Sequence, residues 1–199
     1  EQIMTIINTI YFRDEWSNRF DVDKTRPDTF FLADGRNVTC DFMNKIDGSS
    51  EFSKGIGFTR AALQLKSQGS MVFILPDENV QLSELISSPA KLREAFEGGQ
   101  AKHGKVTWQI PKFTDDSKLD LKKTLQNLGI KAAFTGEADF SGITDHQAFI
   151  SSIIQNAHLA IDEKGVVASA FTKIDYYGAM APEAEAAMIL NRPFLYGIY

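Results

Sequence analysis

A long stretch near the end of the chain lacks an obvious helix or strand partner. It opens with Asp162-Glu163-Lys164-Gly165, continues through small residues at 166–170, and leads to a strand-like segment at residues 191–196. About 25 residues separate Gly165 from that segment, and connections of this length in a compact domain are usually functional or disordered. The fold therefore has to accommodate a long loop between two strands, and the function is expected to depend on that loop.

The rest of the chain is dominated by strand patterns. Residues 3–12 have the composition of a strand buried on both faces, and residues 148–161 form a second long apolar strand. Shorter strands are predicted at residues 38–43, 58–65, 70–75 and 106–110. Helical spacing occurs only in the middle, in a segment starting at Leu82, a second starting at Pro89, and a third that ends at Gly129. This order predicts an α+β fold.

Composition and charge exclude several function classes. The chain has 199 residues, of which 43% are hydrophobic and 24% charged, as in ordinary globular domains. A net charge of -5 with no basic patch argues against a nucleic-acid partner, and no apolar run is long enough for a membrane segment. Cys40 is the single cysteine, expected as a small core residue, so no disulfide, metal or cofactor is predicted.

The histidines do not indicate an enzyme. His103 lies in a Gly/Lys-rich stretch and is predicted to be a surface loop residue, as is His146, whereas His158 is predicted to pack within a strand. No nucleophile elbow, phosphate loop or zinc-binding helix motif is present. Because Ser–His–Asp triads are recognised by geometry, a hydrolase stays as the alternative for the structure to test.

Several separated segments resemble serpin segments and follow the same order. The first is Asn8-Thr9-Ile10-Tyr11-Phe12 with Trp16 after it, and the others are Phe73-Ile74-Leu75-Pro76, Pro111-Lys112-Phe113, the helix end at 125–130, Ala138-Asp139-Phe140-Ser141-Gly142-Ile143, Asp162-Glu163-Lys164-Gly165 and Asn191-Arg192-Pro193-Phe194. Their common order over residues 8–196 argues against chance. The resemblance implies mixed β-sheets with a few helices, in a protein of bacterial type.

Residues 1–199 would then be the C-terminal portion of a single serpin domain, truncated at both ends. The N-terminal helices and the last two core strands of the family would be absent. Strands without edge partners invite intermolecular strand pairing, which we expect of such a fragment.

The resemblance also implies a reactive-centre loop at about residues 163–190. Such a loop is cleaved by a target serine protease and then adds a strand to a sheet. Because side chains alternate between the two faces of a strand, the positions 166, 168, 170, 172 and 174 would face the core, and those between them would face outward. The inward positions are small or apolar, whereas the outward positions hold Phe171 and Lys173. The hinge positions are Glu163, Gly165, Val166, Ala168, Ser169, Ala170 and Thr172.

Three residues depart from the inhibitory pattern. Val166 stands where inhibitory serpins commonly have Thr or Ser, and Phe171 is large for the hinge region. Gln155 replaces a histidine of many members, and glutamine cannot act as a pH-dependent switch. The alternative hypothesis is a non-inhibitory serpin that acts as a binding or structural module. Family positions with a structural role would be Asn8, Trp16, Gln155, Pro193 and Phe194.

Counting from Glu163 in the family register puts the reactive bond between Ala179 and Met180. Counting back from Pro193 gives a later bond, so the candidate window is taken as residues 178–182, with Gly178 and Ala181 as the alternative bait residues. No residue of this window is basic, which disfavours a trypsin-like protease. An elastase-like protease with a small pocket fits best, and Tyr176 or Tyr177 would suit a chymotrypsin-like one. The family further implies an extracellular or cell-surface location, and no cofactor.

Overall fold

Strands make up most of the chain. The computed structural model describes residues 2–67, 69–166 and 185–199, and within them it has twelve strands and three short α-helices. The strands are β1 Gln2–Tyr11, β2 Asp14–Glu15, β3 Arg26–Phe31, β4 Asn37–Gly55, β5 Phe58–Gln64, β6 Ser70–Pro76, β7 Gln100–Pro111, β8 Phe113–Asp120, β9 Ala148–Ile161, β10 Gly165–Val166, β11 Glu185–Ile189 and β12 Leu195–Ile198. The helices are α1 Leu82–Leu85, α2 Pro89–Glu97 and α3 Lys122–Asn127. The α+β prediction is confirmed.

One compact unit contains the N-terminal strand through Phe12 together with Thr114–Ala160. In it, β1 runs parallel to β9, with a register shift between Met4 and Thr5, and β8 also pairs with β9. Helix α3 ends at Asn127 with Leu128 as its C-cap, and Gly129 follows with a φ of 99°, the left-handed conformation that the predicted helix end requires. Both long predicted strands are therefore confirmed, and they are neighbours.

The predicted burial of the first strand is wrong. Ile6, Ile7, Ile10 and Tyr11 are 42%, 65%, 46% and 61% exposed. An apolar β-branched run specifies a strand, but its burial depends on what packs against it, and the described part of the chain covers these side chains only partly. The first strand is therefore apolar in sequence but has solvent-exposed side chains.

The second compact unit comprises Arg13–Phe113 and Ile161–Tyr199. Its sheet has the order β11-β7-β4-β5-β6-β12, and β3 adds to β4. Its core is filled by large side chains, among them Phe42 of β4, Phe73 of β6 and Trp108 of β7, together with Trp16, which follows β2. Helices α1 and α2 contribute Leu85 and Ala95 to a cluster with Phe58 and Ile74, which lie on β5 and β6.

The end of the chain differs from the sequence prediction. Residues 191–194 are not a strand, because β12 begins only at Leu195, after a proline that cannot donate to a ladder. Conversely, Glu185–Ile189 forms β11, parallel to β7, inside the stretch for which the sequence predicts no helix or strand. Its two alanines have weak β-propensity, so the local pattern does not predict a strand there.

Candidate functional site

A tight turn joins β9 to β10, and we call residues 162–165 the hinge turn. The Asp162 carboxylate accepts hydrogen bonds from the backbone N–H groups of Lys164 (2.8 Å) and Gly165 (3.1 Å). The Asp162 N–H donates to the Gly165 carbonyl at 3.0 Å. Aspartate commonly stabilises turns by bonding to backbone groups that follow it. The hinge turn therefore has a conformation fixed largely by its own first residue.

A second segment, residues 16–20, holds the hinge turn through its carbonyls. The Trp16 indole N–H donates to the Asp162 carbonyl (2.9 Å), and the Trp16 backbone N–H donates to the Lys164 carbonyl (3.0 Å). The Phe20 N–H donates to the carbonyl of Glu163 at 3.0 Å. Trp16 is fully buried, with its ring centre 6.3 Å from that of Phe20 in an edge-to-face contact. Three successive carbonyls of the turn are thus bound by one short segment.

The Glu163 side chain is buried and doubly bonded. Thr25 donates its hydroxyl to Oε1 at 2.7 Å, and Lys112 Nζ lies 3.1 Å from Oε2. Burial opposes ionisation of this carboxyl, but the hydrogen bonds from Thr25 and from its own backbone, together with the Lys112 ammonium, hold the pKa of Glu163 below its ordinary value. Glu163 is therefore an ionised group that ties the hinge turn to β7's end and to the residue before β3.

The Glu163→Gln substitution should make the free energy of unfolding vary less with pH in the acid range. A folded-state pKa below the unfolded value means that the ionised carboxylate stabilises the fold above about pH 4.5, and that this contribution is lost as pH falls through the lowered pKa. We expect the variant to be about 1–2 kcal/mol less stable at pH 7, with a smaller difference in acid. Urea unfolding from pH 3 to pH 7 measures it.

The matched control is Glu185→Gln. Glu185 also pairs with a lysine, Lys105, at 3.0 Å, but its side chain is 64% exposed, so little change is expected. Two outcomes would contradict a stabilising role for the ionised Glu163 carboxylate. One is an equal loss of stability in Glu163→Gln and Glu185→Gln, and the other is a stability difference between Glu163→Gln and wild type that does not shrink in acid.

Gly165 and Val166 begin the loop in a closely packed position. Gly165 lies opposite Glu15, and Val166 pairs with both Asp14 and Ile161 in antiparallel fashion. A Cβ on Gly165 would lie 2.3 Å from the Asp14 carbonyl oxygen, so only glycine fits. Val166 is fully buried, on the face that alternation assigns to the core.

The remaining loop predictions fall outside the described residues. These are the hinge positions Ala168, Ser169, Ala170 and Thr172, and the bait positions Gly178, Ala179, Met180 and Ala181. They stay predictions.

Other family positions have clear neighbours. Asn8 and Gln155 face each other across the β1–β9 pair, Asn8 exposed and Gln155 half-buried. Pro193 precedes β12, and the Phe194 ring lies 5.9 Å from that of Phe113 and 6.2 Å from that of Phe73. Phe194 is thus the centre of an aromatic cluster, whereas Asn8 and Gln155 belong to a strand pair.

The histidines have separate partners. His103 lies in β7 rather than in a loop, and its Nε2 is 2.6 Å from the Ser49 hydroxyl. His158 is in β9 as predicted but exposed rather than packed, with Nδ1 2.6 Å from Asp116. His146 is exposed in a bend. These pairs use different serine, histidine and carboxylate residues, and neither is the three-residue arrangement of a hydrolase.

Cys40 is half-buried rather than a full core residue. Burial raises the pKa of its thiol, and Asp41 and Asp28 add to that effect, so the thiolate is disfavoured at neutral pH. Within the described residues no group of three potential metal ligands comes together, and no helix there has the length and hydrophobicity to cross a membrane.

Sequence reasoning missed the partners of Glu163. Lys112 lay inside a matched motif but had no assigned role, and no signal marked Thr25, which is 138 residues away along the chain. Only sheet pairing brings these positions together.

Comparison with known proteins identifies the family. A family model described as serpin (serine protease inhibitor) matches residues 1–199. Among curated relatives, the carp (Cyprinus carpio) alpha-1-antitrypsin homolog is 29% identical over 98% of this chain and 52% of its own length. The pig (Sus scrofa) plasminogen activator inhibitor 1 is 32% identical over 97% of this chain and 49% of its own length.

Solved structures agree. Serpin48 from the insect Tenebrio molitor has a TM-score of 0.78 and 28% identity, covering 98% of this chain and 52% of that one. Human thyroxine-binding globulin has a TM-score of 0.78 and 26% identity, covering 96% and 51%. The chain spans about half the length of the relatives that it matches. With a family match along its whole length, the chain belongs to the serpin family.

Proposed function

We propose that this chain is the loop-bearing part of an inhibitory serpin that traps an elastase-like serine protease. The observation that carries the proposal is the antiparallel pair between Val166 and Ile161. The loop thus leaves the hinge turn already paired with the end of β9. A strand that has begun to pair can lengthen residue by residue along the same neighbour.

The register of this pair supports the predicted bait position. Continued along β9, it would bring Thr172 opposite Gln155 and Ala179 opposite Ala148, the first residue of β9. The inserted strand would therefore end at the bait residue that family counting gives. A protease attached there would be carried along the full length of β9 as the strand formed.

Two neighbours of β9 compete with such a strand. Both β1 and β8 pair with β9, so an incoming loop has to displace one of them. We propose that it displaces β1, because parallel pairing is slightly less stable per residue and the β1–β9 ladder has a register shift between Met4 and Thr5. The new strand would be antiparallel to β9.

The side chains of the loop suit this insertion. The inward positions Ala168, Ala170 and Thr172 carry no charge, and Val166 of the same set is fully buried. Charged and bulky residues occupy the outward set, where solvent can accommodate them. A strand of this composition can enter a sheet without burying an unpaired charge.

The target preference rests on the bait window. Gly178, Ala179 and Ala181 are small, and a protease with a small specificity pocket would accept them. We expect the complete protein to work outside the cell or at its surface, an expectation that the family alone supports, and to need no cofactor or catalytic residue of its own.

The test is to incubate the complete protein with elastase and examine the products on denaturing gels. A covalent complex that survives SDS is expected, and plain cleavage without complex would refute inhibition. Ala170→Arg, which puts a charge on the inward face, should convert complex into cleaved product, whereas the outward control Ser169→Arg should leave complex formation nearly unchanged. Equal effects of the two variants would contradict the insertion register.

A second candidate is a non-inhibitory binding module. Val166 and Phe171 favour it, as does the similarity to a structure named thyroxine-binding globulin complexed with its ligand. Thermal unfolding before and after loop cleavage separates the two functions. A sharp rise in the midpoint after cleavage supports insertion, and an unchanged midpoint supports the binding module.

A further inference from the structure

A buried lysine lies beneath the segment that holds the hinge turn. The Lys45 side chain, on β4, is 11% exposed, although lysine is rarely buried without a partner. Burial lowers the pKa of the Lys45 ammonium, and the nearby Asp47 carboxylate partly offsets this effect. Lys45 takes no part in the proposed trapping of a protease.

The ammonium has three neighbours. Nζ donates to the Asn18 carbonyl at 3.1 Å, lies 3.4 Å from the Asp47 carboxylate, and is 5.0 Å from the centre of the Phe20 ring. The distance to the ring is that of a cation–π contact. The Trp108 indole N–H donates to the same Asp47 oxygen at 2.9 Å and so fixes the carboxylate. Lys45 is therefore held in one place.

Two of these three neighbours belong to the 16–20 segment. Residues 17–20 form neither helix nor strand, so their position depends on individual contacts. The Ser17 N–H donates to the Gln64 carbonyl at 2.8 Å at one end. At the other end, Lys45 contacts both the Asn18 carbonyl and the Phe20 ring. Phe20 in turn donates to Glu163, and its ring packs on Trp16.

A buried ion pair is an inefficient way to gain stability. Desolvation of both charges offsets most of their attraction, and apolar residues of similar volume often stabilise as well. Such a pair instead imposes a specific geometry, because the ammonium has to point at a carbonyl and at a carboxylate. At this site, the geometry of the ion pair constrains the position of the 16–20 segment.

We propose that Lys45, oriented by Asp47, is a positioning residue that fixes the 16–20 segment so that Trp16 and Phe20 hold the hinge turn closed. Its consequence for loop release rests on the proposed inhibitory function. The contact itself can be tested without any protease, so a failure of inhibition and a failure of this inference give different results.

The experiment is backbone hydrogen exchange on the complete protein, resolved at the amides of Trp16 and Phe20. Lys45→Met keeps most of the side-chain volume and removes the charge. We expect these two amides to exchange at least about tenfold faster, with the β5–β6 ladder unchanged, since a hydrogen bond to a charged group is lost and the opening is local. The control Lys54→Met lies on the same strand with an exposed side chain and should change neither amide.

Two further variants decide ambiguous outcomes. Lys45→Arg retains the charge and should keep most of the protection, and Asp47→Asn should loosen the same two amides. The proposal would be overturned by unchanged exchange in Lys45→Met, or by equal effects of Lys45→Arg and Lys45→Met. It would also be overturned if both Lys45→Met and Asp47→Asn lost protection uniformly across the β5–β6 ladder.

Discussion

Replacing Gly165 with alanine should lower the free energy of unfolding by at least about 3 kcal/mol, the upper part of the range for overpacking. The new methyl group would lie 2.3 Å from the Asp14 carbonyl oxygen, 2.5 Å from the Glu15 Cα and 3.0 Å from the Trp16 nitrogen. All three atoms are backbone, so no side chain can rotate away to make room. The hinge turn or β2 would have to move, and urea unfolding followed by circular dichroism measures the cost.

Gly48→Ala is the matched control for this change. Gly48 lies in β4, and an added Cβ there meets nothing within 4 Å. Adding a methyl group at such a position usually restricts the unfolded chain, so the control should be neutral or slightly stabilising. If Gly165→Ala were as stable as Gly48→Ala, Gly165 could not lie as close to the backbone of residues 14–16 as described.

Removing the Trp16 side chain should have an effect of similar size. Trp16→Ala empties a fully buried site and is expected to cost about 3–5 kcal/mol. Trp16→Phe keeps much of the packing but removes the indole N–H, which leaves the Asp162 carbonyl without that donor, at a cost of about 1–3 kcal/mol. The difference between the variants separates packing from hydrogen bonding. Unfolding is best followed by far-UV circular dichroism and not by tryptophan fluorescence, because both variants remove one of the only two tryptophans in the chain.

Phe31→Ala provides the comparison for a large aromatic residue outside the core. Phe31 is 49% exposed at the end of β3, so its removal should cost much less than that of Trp16. Equal losses in Trp16→Ala and Trp16→Phe would show that the indole hydrogen bond, not packing, dominates. Equal losses in Trp16→Ala and Phe31→Ala would contradict the burial of Trp16.

Both predictions concern how the loop is restrained. Residues 16–20 donate hydrogen bonds to three carbonyls of the hinge turn. The turn's own Glu163 side chain bonds to Thr25, and its Gly165 packs closely against the backbone of residues 14–16. An inhibitory loop has to stay restrained until cleavage and then move. Under the proposed inhibitory function, variants that weaken these contacts are expected to change the timing of loop movement as well as stability.

Much of the fold could be predicted from local pattern. The two long strands, the Pro89 helix start and the Gly129 helix end follow from hydrophobic spacing and from the backbone preferences of proline and glycine. The exposure of Ile7 and the strand at Glu185–Ile189 could not be predicted. Exposure depends on what covers a strand, and an alanine-rich strand forms only because β7 supplies its partner.

The serpin order of segments can be identified from the sequence alone, which also predicts a hinge role for Glu163 and an alternation of small inward and bulkier outward residues in the loop, because all of these are properties of neighbouring positions. The tertiary structure decided how the hinge is held. Thr25, Lys112 and Lys45 lie far from residues 162–165 along the chain, and they acquire roles only through strand pairing. Hydrogen bonds and ion pairs act over a few ångströms, so their partners follow from the fold and not from spacing in the sequence.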